Sequence, residues 1–199
     1  MTPQVGTLTP NGQTANYTAP GTISSEQTVT ITATSVADTT EAAATVTLMP
    51  PAGAFTPIRV HAGGGSYVDS RGQTWSADTD FSGGNTASTT QTIGNTSDPT
   101  LYQTERWNVF SYTFTVPNGS YNVVLKFAEI YWTSVGQRQF NVAINGTTVL
   151  TNFDIVAAAG GALKAIDKTF PVTVTNGTVT IQFTPGAADW PKVSAIEIH

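Results

Sequence analysis

The chain has 199 residues, 39% of them hydrophobic and only 11% charged, with a formal net charge of −5. A net negative charge without any Lys/Arg cluster excludes nucleic acid and anionic membrane surfaces as partners. The lack of cysteine removes disulfides, thiol catalysis and Cys-based zinc sites, and no apolar run approaches the ~18 residues of a membrane span. Ordinary soluble domains are roughly 25% charged. A surface made instead of Thr, Ser, Asn and Gly suits an extracellular β module, so a secreted location is expected. The segment Met1–Pro10 has neither the basic region nor the apolar core of a signal peptide. The chain is therefore expected to be a fragment of a longer exported protein.

Residues 1–49 are Thr-rich with one aromatic, Tyr17, and carry a period-two run at Val29, Ile31 and Ala33. Proline and glycine cluster at Met49-Pro50-Pro51-Ala52-Gly53, which predicts a linker over 50–54 and a second domain over 55–199. All four tryptophans and all nine phenylalanines follow that boundary. Strands are predicted from alternation at Tyr121, Val123, Leu125 and Phe127, at Phe140, Val142 and Ile144, and at Val179, Ile181 and Phe183. Pro117-Asn118-Gly119, Asn145-Gly146 and Asn176-Gly177 read as tight turns, because Asn and Gly tolerate positive φ. Turn chemistry therefore accounts for three of the five Asn-x-Ser/Thr sequons (Asn16, Asn95, Asn118, Asn145, Asn176). The Ala/Gly-rich stretch Asp154–Leu163 predicts a loop with one helical turn. The whole chain reads as all-β. Gly63-Gly64-Gly65 follows a strand without a helix after it, which argues against a phosphate cradle. His61 and His199 are too far apart in sequence to make a metal site alone.

Several blocks, taken in order, resemble the malectin family. They begin with Ile58-Arg59-Val60-His61-Ala62-Gly63-Gly64, Tyr67-Val68-Asp69-Ser70 and Trp75-Ser76-Ala77-Asp78. Leu101-Tyr102-Gln103-Thr104-Glu105-Arg106-Trp107 and Lys126-Phe127-Ala128-Glu129-Ile130-Tyr131-Trp132 follow, then Phe140-Asn141-Val142, Phe153-Asp154-Ile155 and Pro191-Lys192-Val193-Ser194-Ala195-Ile196. The resemblance spans about residues 57 to 198. It implies a jelly-roll type β-sandwich with a shallow sugar cleft. Animal malectin binds short α-linked glucose oligosaccharides, and bacterial relatives accompany catalytic domains in secreted carbohydrate-active enzymes. Residues 1–49 resemble the C-terminal part of a bacterial immunoglobulin-like domain at Val5-Gly6-Thr7-Leu8, Tyr17-Thr18-Ala19-Pro20 and Val29 to Ser35.

A sugar offers C–H faces and hydroxyl edges, so its binder wants flat aromatics and carboxylates at loop ends. Tyr131 and Trp132 fit, because adjacent residues of an extended chain point to opposite faces and at most one is core. The resemblance matches this pair, Trp107 and Asp189 to malectin's sugar contacts. Trp107 equally suits a buried strand position, and Asp189 an Asx turn. Trp190, where animal malectin has Asn, would add a stacking platform or plug the sandwich. Phe81 occupies the region of a further contact. Glu105, Arg106 and Glu129 read as a structural Glu–Arg network linking two strands rather than a glycosidase pair. Asp69, Asp78, Asp80 and Asp154 could supply oxygens to structural Ca²⁺, without EF-hand spacing.

The expected function is a non-catalytic carbohydrate-binding module for a glucose- or mannose-type oligo- or polysaccharide. The alternatives are an adhesive assembly module and, more weakly, a glycoside hydrolase. A partial sandwich over residues 1–49 would leave Val29, Ile31, Val46 and Leu48 open unless covered, which predicts homo-oligomers by strand addition.

Overall fold

In a computed structural model of the protein the described residues are 2, 5–21, 27–48 and 55–199. They divide into two compact units, Met1–Ala54 and Phe55–His199. The expected linker at 50–54, and the boundary cluster at 49–53, lie outside the described residues.

In the first unit, β1 (Thr7–Asn11) pairs with β2 (Thr14–Thr18), and β3 (Gln27–Thr34) with β4 (Glu41–Leu48), both antiparallel. The register sets Val29 against Val46, Ile31 against Ala44 and Ala33 against Ala42, so one face of this hairpin is apolar and the other mostly Thr. On that apolar face Val29 is 0% and Leu48 7% exposed. Thr2 also exchanges two backbone hydrogen bonds with Thr30 on the β3 edge.

The second unit contains β5 (Ile58–His61), β6 (Tyr67–Val68), β7 (Thr74–Trp75), β8 (Phe81–Ser88), β9 (Thr104–Thr115), β10 (Gly119–Phe127) and β11 (Gln139–Ile144). They are followed by β12 (Thr147–Phe153), β13 (Ile166–Val174), β14 (Thr178–Ala188), β15 (Lys192–Val193) and β16 (Ala195–Ile198). One sheet has the order β13-β10-β16-β5; the other has β12-β11-β14-β9-β15, with β8 also paired to β9. The alternation decides how they pack. Val123, Leu125 and Phe127 of β10 meet Phe140 and Val142 of β11 and Ile181 and Phe183 of β14 in a single core that both sheets line. Each such side chain contributes about 1.5–3 kcal/mol on burial. The result is an all-β sandwich.

Local signals act where they were read. Asn145 (φ 48°) and Gly146 (φ 78°) form the positive-φ turn between β11 and β12. The helical turn expected after Asp154 is α1 (Ile155–Ala159), capped by the Asp154 carboxylate, which accepts from the Ala157 N–H at 3.0 Å. Gly63 has φ +69°, and a Cβ there would lie 2.2 Å from the Glu105 carbonyl oxygen, so β5 can turn against β9 only through glycine. Its N–H donates to Asp78 at 2.7 Å.

The four aspartates that could supply oxygens to Ca²⁺ each take their own part in the fold. Asp69 accepts from Trp75 Nε1 and from the amides of Arg71 and Gln73. Asp78 is held by Arg106 and by the Tyr112 hydroxyl, whose pKa is pushed upward first by burial and then by Asp78. Asp154 caps α1, and Asp80 sits at a left-handed φ of 61°. Among the described residues no three His, Cys, Asp or Glu side chains form a metal-holding group.

Candidate functional site

Two strand alternations run past their apolar residues into charge. On β10 the inward set Tyr121, Val123, Leu125, Phe127 continues two residues on to Glu129, which is 0% exposed. On β11 the inward set Phe140, Val142, Ile144 extends back two residues to Arg138, 5% exposed. These two buried charges meet: Arg138 Nε donates to Glu129 Oε2 at 2.7 Å. The other oxygen, Oε1, accepts from the amides of Tyr131 at 3.0 Å and Trp132 at 3.1 Å. Glu129 thereby anchors the turn that carries the adjacent aromatics, and both its oxygens are used.

The aromatics stand edge to face, with ring centroids 4.8 Å apart, and Tyr131 is 71% exposed. Trp132 Nε1 donates to Asp189 Oδ2 at 2.5 Å, and Arg138 Nη1 lies 3.3 Å from the same oxygen. Asp189 takes a left-handed φ of 55°, so its carboxylate is set by backbone conformation as well as by these two donors. Arg138 Nη1 also donates to the Trp190 carbonyl. On the β9 side, Lys192 of β15 stands opposite Trp107 in the register, is fully buried, ion-pairs with Glu105 and donates to the Ala128 carbonyl.

Together, Ala87, Glu105, Trp107, Tyr131, Trp132, Arg138 and Asp189 line an open cleft of about 340 Å³. That lies near the lower end of ligand pockets (roughly 300–1,000 Å³) and suits roughly one or two sugar rings. A second hollow of about 240 Å³, lined in part by Asp69, Asp98, Lys126 and Asp167, is more polar but offers no stacking face, because its Trp75 and Tyr102 are 1% and 4% exposed.

Four of the six residues singled out in the sequence, Trp107, Tyr131, Trp132 and Asp189, are thus brought together. Phe81 is not. It pairs with Tyr112 at the opposite end of β8 from Ala87, and the Arg106 guanidinium covers its ring at 3.3 Å. Trp190 does not line the cleft either and, at 43% exposed, does not plug the sandwich. The expected Glu105–Arg106–Glu129 network is in fact three separate pairs: Glu105 with Lys192, Arg106 with Asp78, and Glu129 with Arg138. Arg138 is the site residue that reading the sequence missed. Its signal was parity, since it continues the inward face of β11 by one more alternation.

The Malectin domain profile matches residues 56–196. Malectin-B of Xenopus laevis is 35% identical over 120 residues, which are 52% of this chain and 43% of that protein. The chain spans less than half the length of the curated malectins it matches. Among solved structures, the ANX1 ectodomain from Arabidopsis thaliana superposes with a TM-score of 0.64 at 21% identity, over 71% of this chain and 47% of that one. A β-glucuronidase of Bacteroides uniformis does so at 0.67 and 19%, over 94% of this chain and 23% of that one. At such identities the two structures speak for the fold. The profile, the curated relatives and the sandwich agree, and the chain belongs to the malectin domain family.

Proposed function

We propose that the cleft binds carbohydrate and that the chain is a non-catalytic recognition module for a glucose- or mannose-type oligo- or polysaccharide, carried by a larger secreted protein. One observation carries this reading: three aromatic side chains and a positioned carboxylate converge on one open cleft. The rings cover the C–H faces of a sugar, while Asp189 accepts from its hydroxyls and Arg138 donates to them. An extracellular location is supported by the low charged fraction, 11% of residues. No helix among the described residues is long and apolar enough to cross a membrane.

Glycan-array binding followed by calorimetry tests the reading. Selective, roughly micromolar binding of gluco- or manno-oligosaccharides is expected, and an array without any hit would remove it. The two carboxylates of the cleft, Glu105 and Asp189, are already committed to Lys192 and to Trp132 with Arg138. Incubation with a polysaccharide panel is accordingly expected to release no reducing ends; hydrolysis that disappears in Glu105→Gln would establish an enzyme instead. An adhesive role draws on the exposed Tyr131 and Val135, at 71% and 65%. It would show as saturable binding to a protein partner, blocked by Tyr131→Ala, in place of sugar binding.

Self-association through residues 1–49 is a separate proposal, resting on β4, whose outer edge pairs with no strand among the described residues. Light scattering over a range of concentrations should give a mass above that of one chain; a monomer throughout would end it.

A further inference from the structure

The cleft volume of about 340 Å³ sets a limit: beyond roughly two rings, a bound chain has to leave across neighbouring surface. The segment that carries Asp189 offers one such surface. Lys192 stands opposite Trp107, and the Asn108 N–H donates to the Pro191 carbonyl at 3.1 Å. Trp190 precedes Pro191 and Val109 follows Asn108. Both are exposed apolar side chains, at 43% and 48%. Trp190 directly follows Asp189 of the cleft, and Val109 lies two residues after Trp107.

The backbone of Trp190 is also held in place. The Arg138 guanidinium that approaches Asp189 binds the Trp190 carbonyl as well, and the following Pro191 restricts its backbone. Trp75 and Trp132 each donate their indole N–H to an aspartate, whereas among the described residues the Trp190 indole has no such partner. An exposed indole with a free donor can cover a sugar face and bond its hydroxyl.

We propose that Trp190 forms a further subsite beside the cleft, so that the preferred ligand is an extended oligosaccharide of about three or more units rather than a disaccharide end. The proposal rests on the carbohydrate reading of the cleft. Calorimetry with maltose to maltohexaose, cellobiose to cellohexaose and mannobiose to mannohexaose tests it. In the parent protein, affinity should rise about tenfold between two and four units of the series that binds, the scale of one added stacking contact. Trp190→Ala should abolish that rise while leaving disaccharide affinity within about twofold, and Trp190→Phe, which keeps a ring, should retain most of it. An affinity that ignores chain length, or rises equally in Trp190→Ala, overturns the subsite and leaves the cleft reading standing. Disaccharide binding weakened as much as hexasaccharide binding also overturns it, since Trp190 would then act through the cleft. If none of the three series binds the parent, the carbohydrate reading falls and the subsite with it.

Discussion

Glu129→Ala should lower the unfolding free energy of the second unit by about 3–5 kcal/mol, the range for removing one partner of a buried ion pair. Glu129 is 0% exposed and bonds three donors: Arg138 Nε and the amides of Tyr131 and Trp132. Without it, a guanidinium that is 5% exposed keeps only Asp189 and the Trp190 carbonyl, and two amides lose their acceptor. Each polar group left buried and unpaired costs about 1–3 kcal/mol. Urea unfolding followed by tryptophan fluorescence reads this directly, because all four tryptophans lie in the second unit. Replacing both charges by apolar residues, as in E129L/R138M, should recover part of the stability, since the guanidinium is no longer buried without its carboxylate while the Tyr131 and Trp132 amides still lack an acceptor. Sugar affinity should not recover, because the anchor of the aromatic turn is still missing. Glu129→Ala within about 1 kcal/mol of the parent would mean that the pair does not hold this end of the sandwich.

Trp132→Ala should weaken the best oligosaccharide ligand by about ten- to a hundredfold, which corresponds to roughly 1–3 kcal/mol of ring surface no longer removed from water. The ring is half-buried and aimed into the cleft, and its Nε1 is the closest donor to Asp189. Trp132→Phe separates the two contributions: it keeps a stacking face and removes the N–H that holds the carboxylate, so a smaller loss is expected. Tyr131→Ala should fall in the same range as Trp132→Ala, by the same area argument. Calorimetry against the strongest array ligand checks all three variants. If Trp132→Ala and Tyr131→Ala both bind as the parent does, the ligand site lies elsewhere.

The all-β class, the individual strands and their turns could be read from the chain because they depend on neighbours in sequence. A period of two along Tyr121–Phe127 or Val179–Phe183 places those side chains on one face whatever the rest of the molecule does. Asn145-Gly146 likewise adopts positive φ for local steric reasons. The aromatic and acidic residues of the cleft were legible for a different reason: Tyr131-Trp132 is adjacent in a way a strand cannot bury, and Trp107 and Asp189 were marked by the family resemblance. What no local pattern carries is pairing between distant segments. The parity of Glu129 and Arg138 announced two inward charges, but only the folded sandwich shows that they bond each other. Glu105 found Lys192 because β15 lies against β9, and Arg106 found Asp78 because the Gly63-Gly64 turn, packed against Glu105, holds Asp78 there. Phe81 was lost from the site by register, since β8 runs antiparallel to β9 and brings Ala87, not Phe81, beside Glu105. A buried charge is stable only beside its counter-charge, and which counter-charge lies within hydrogen-bond reach is set by strand order and register, which are properties of the whole fold.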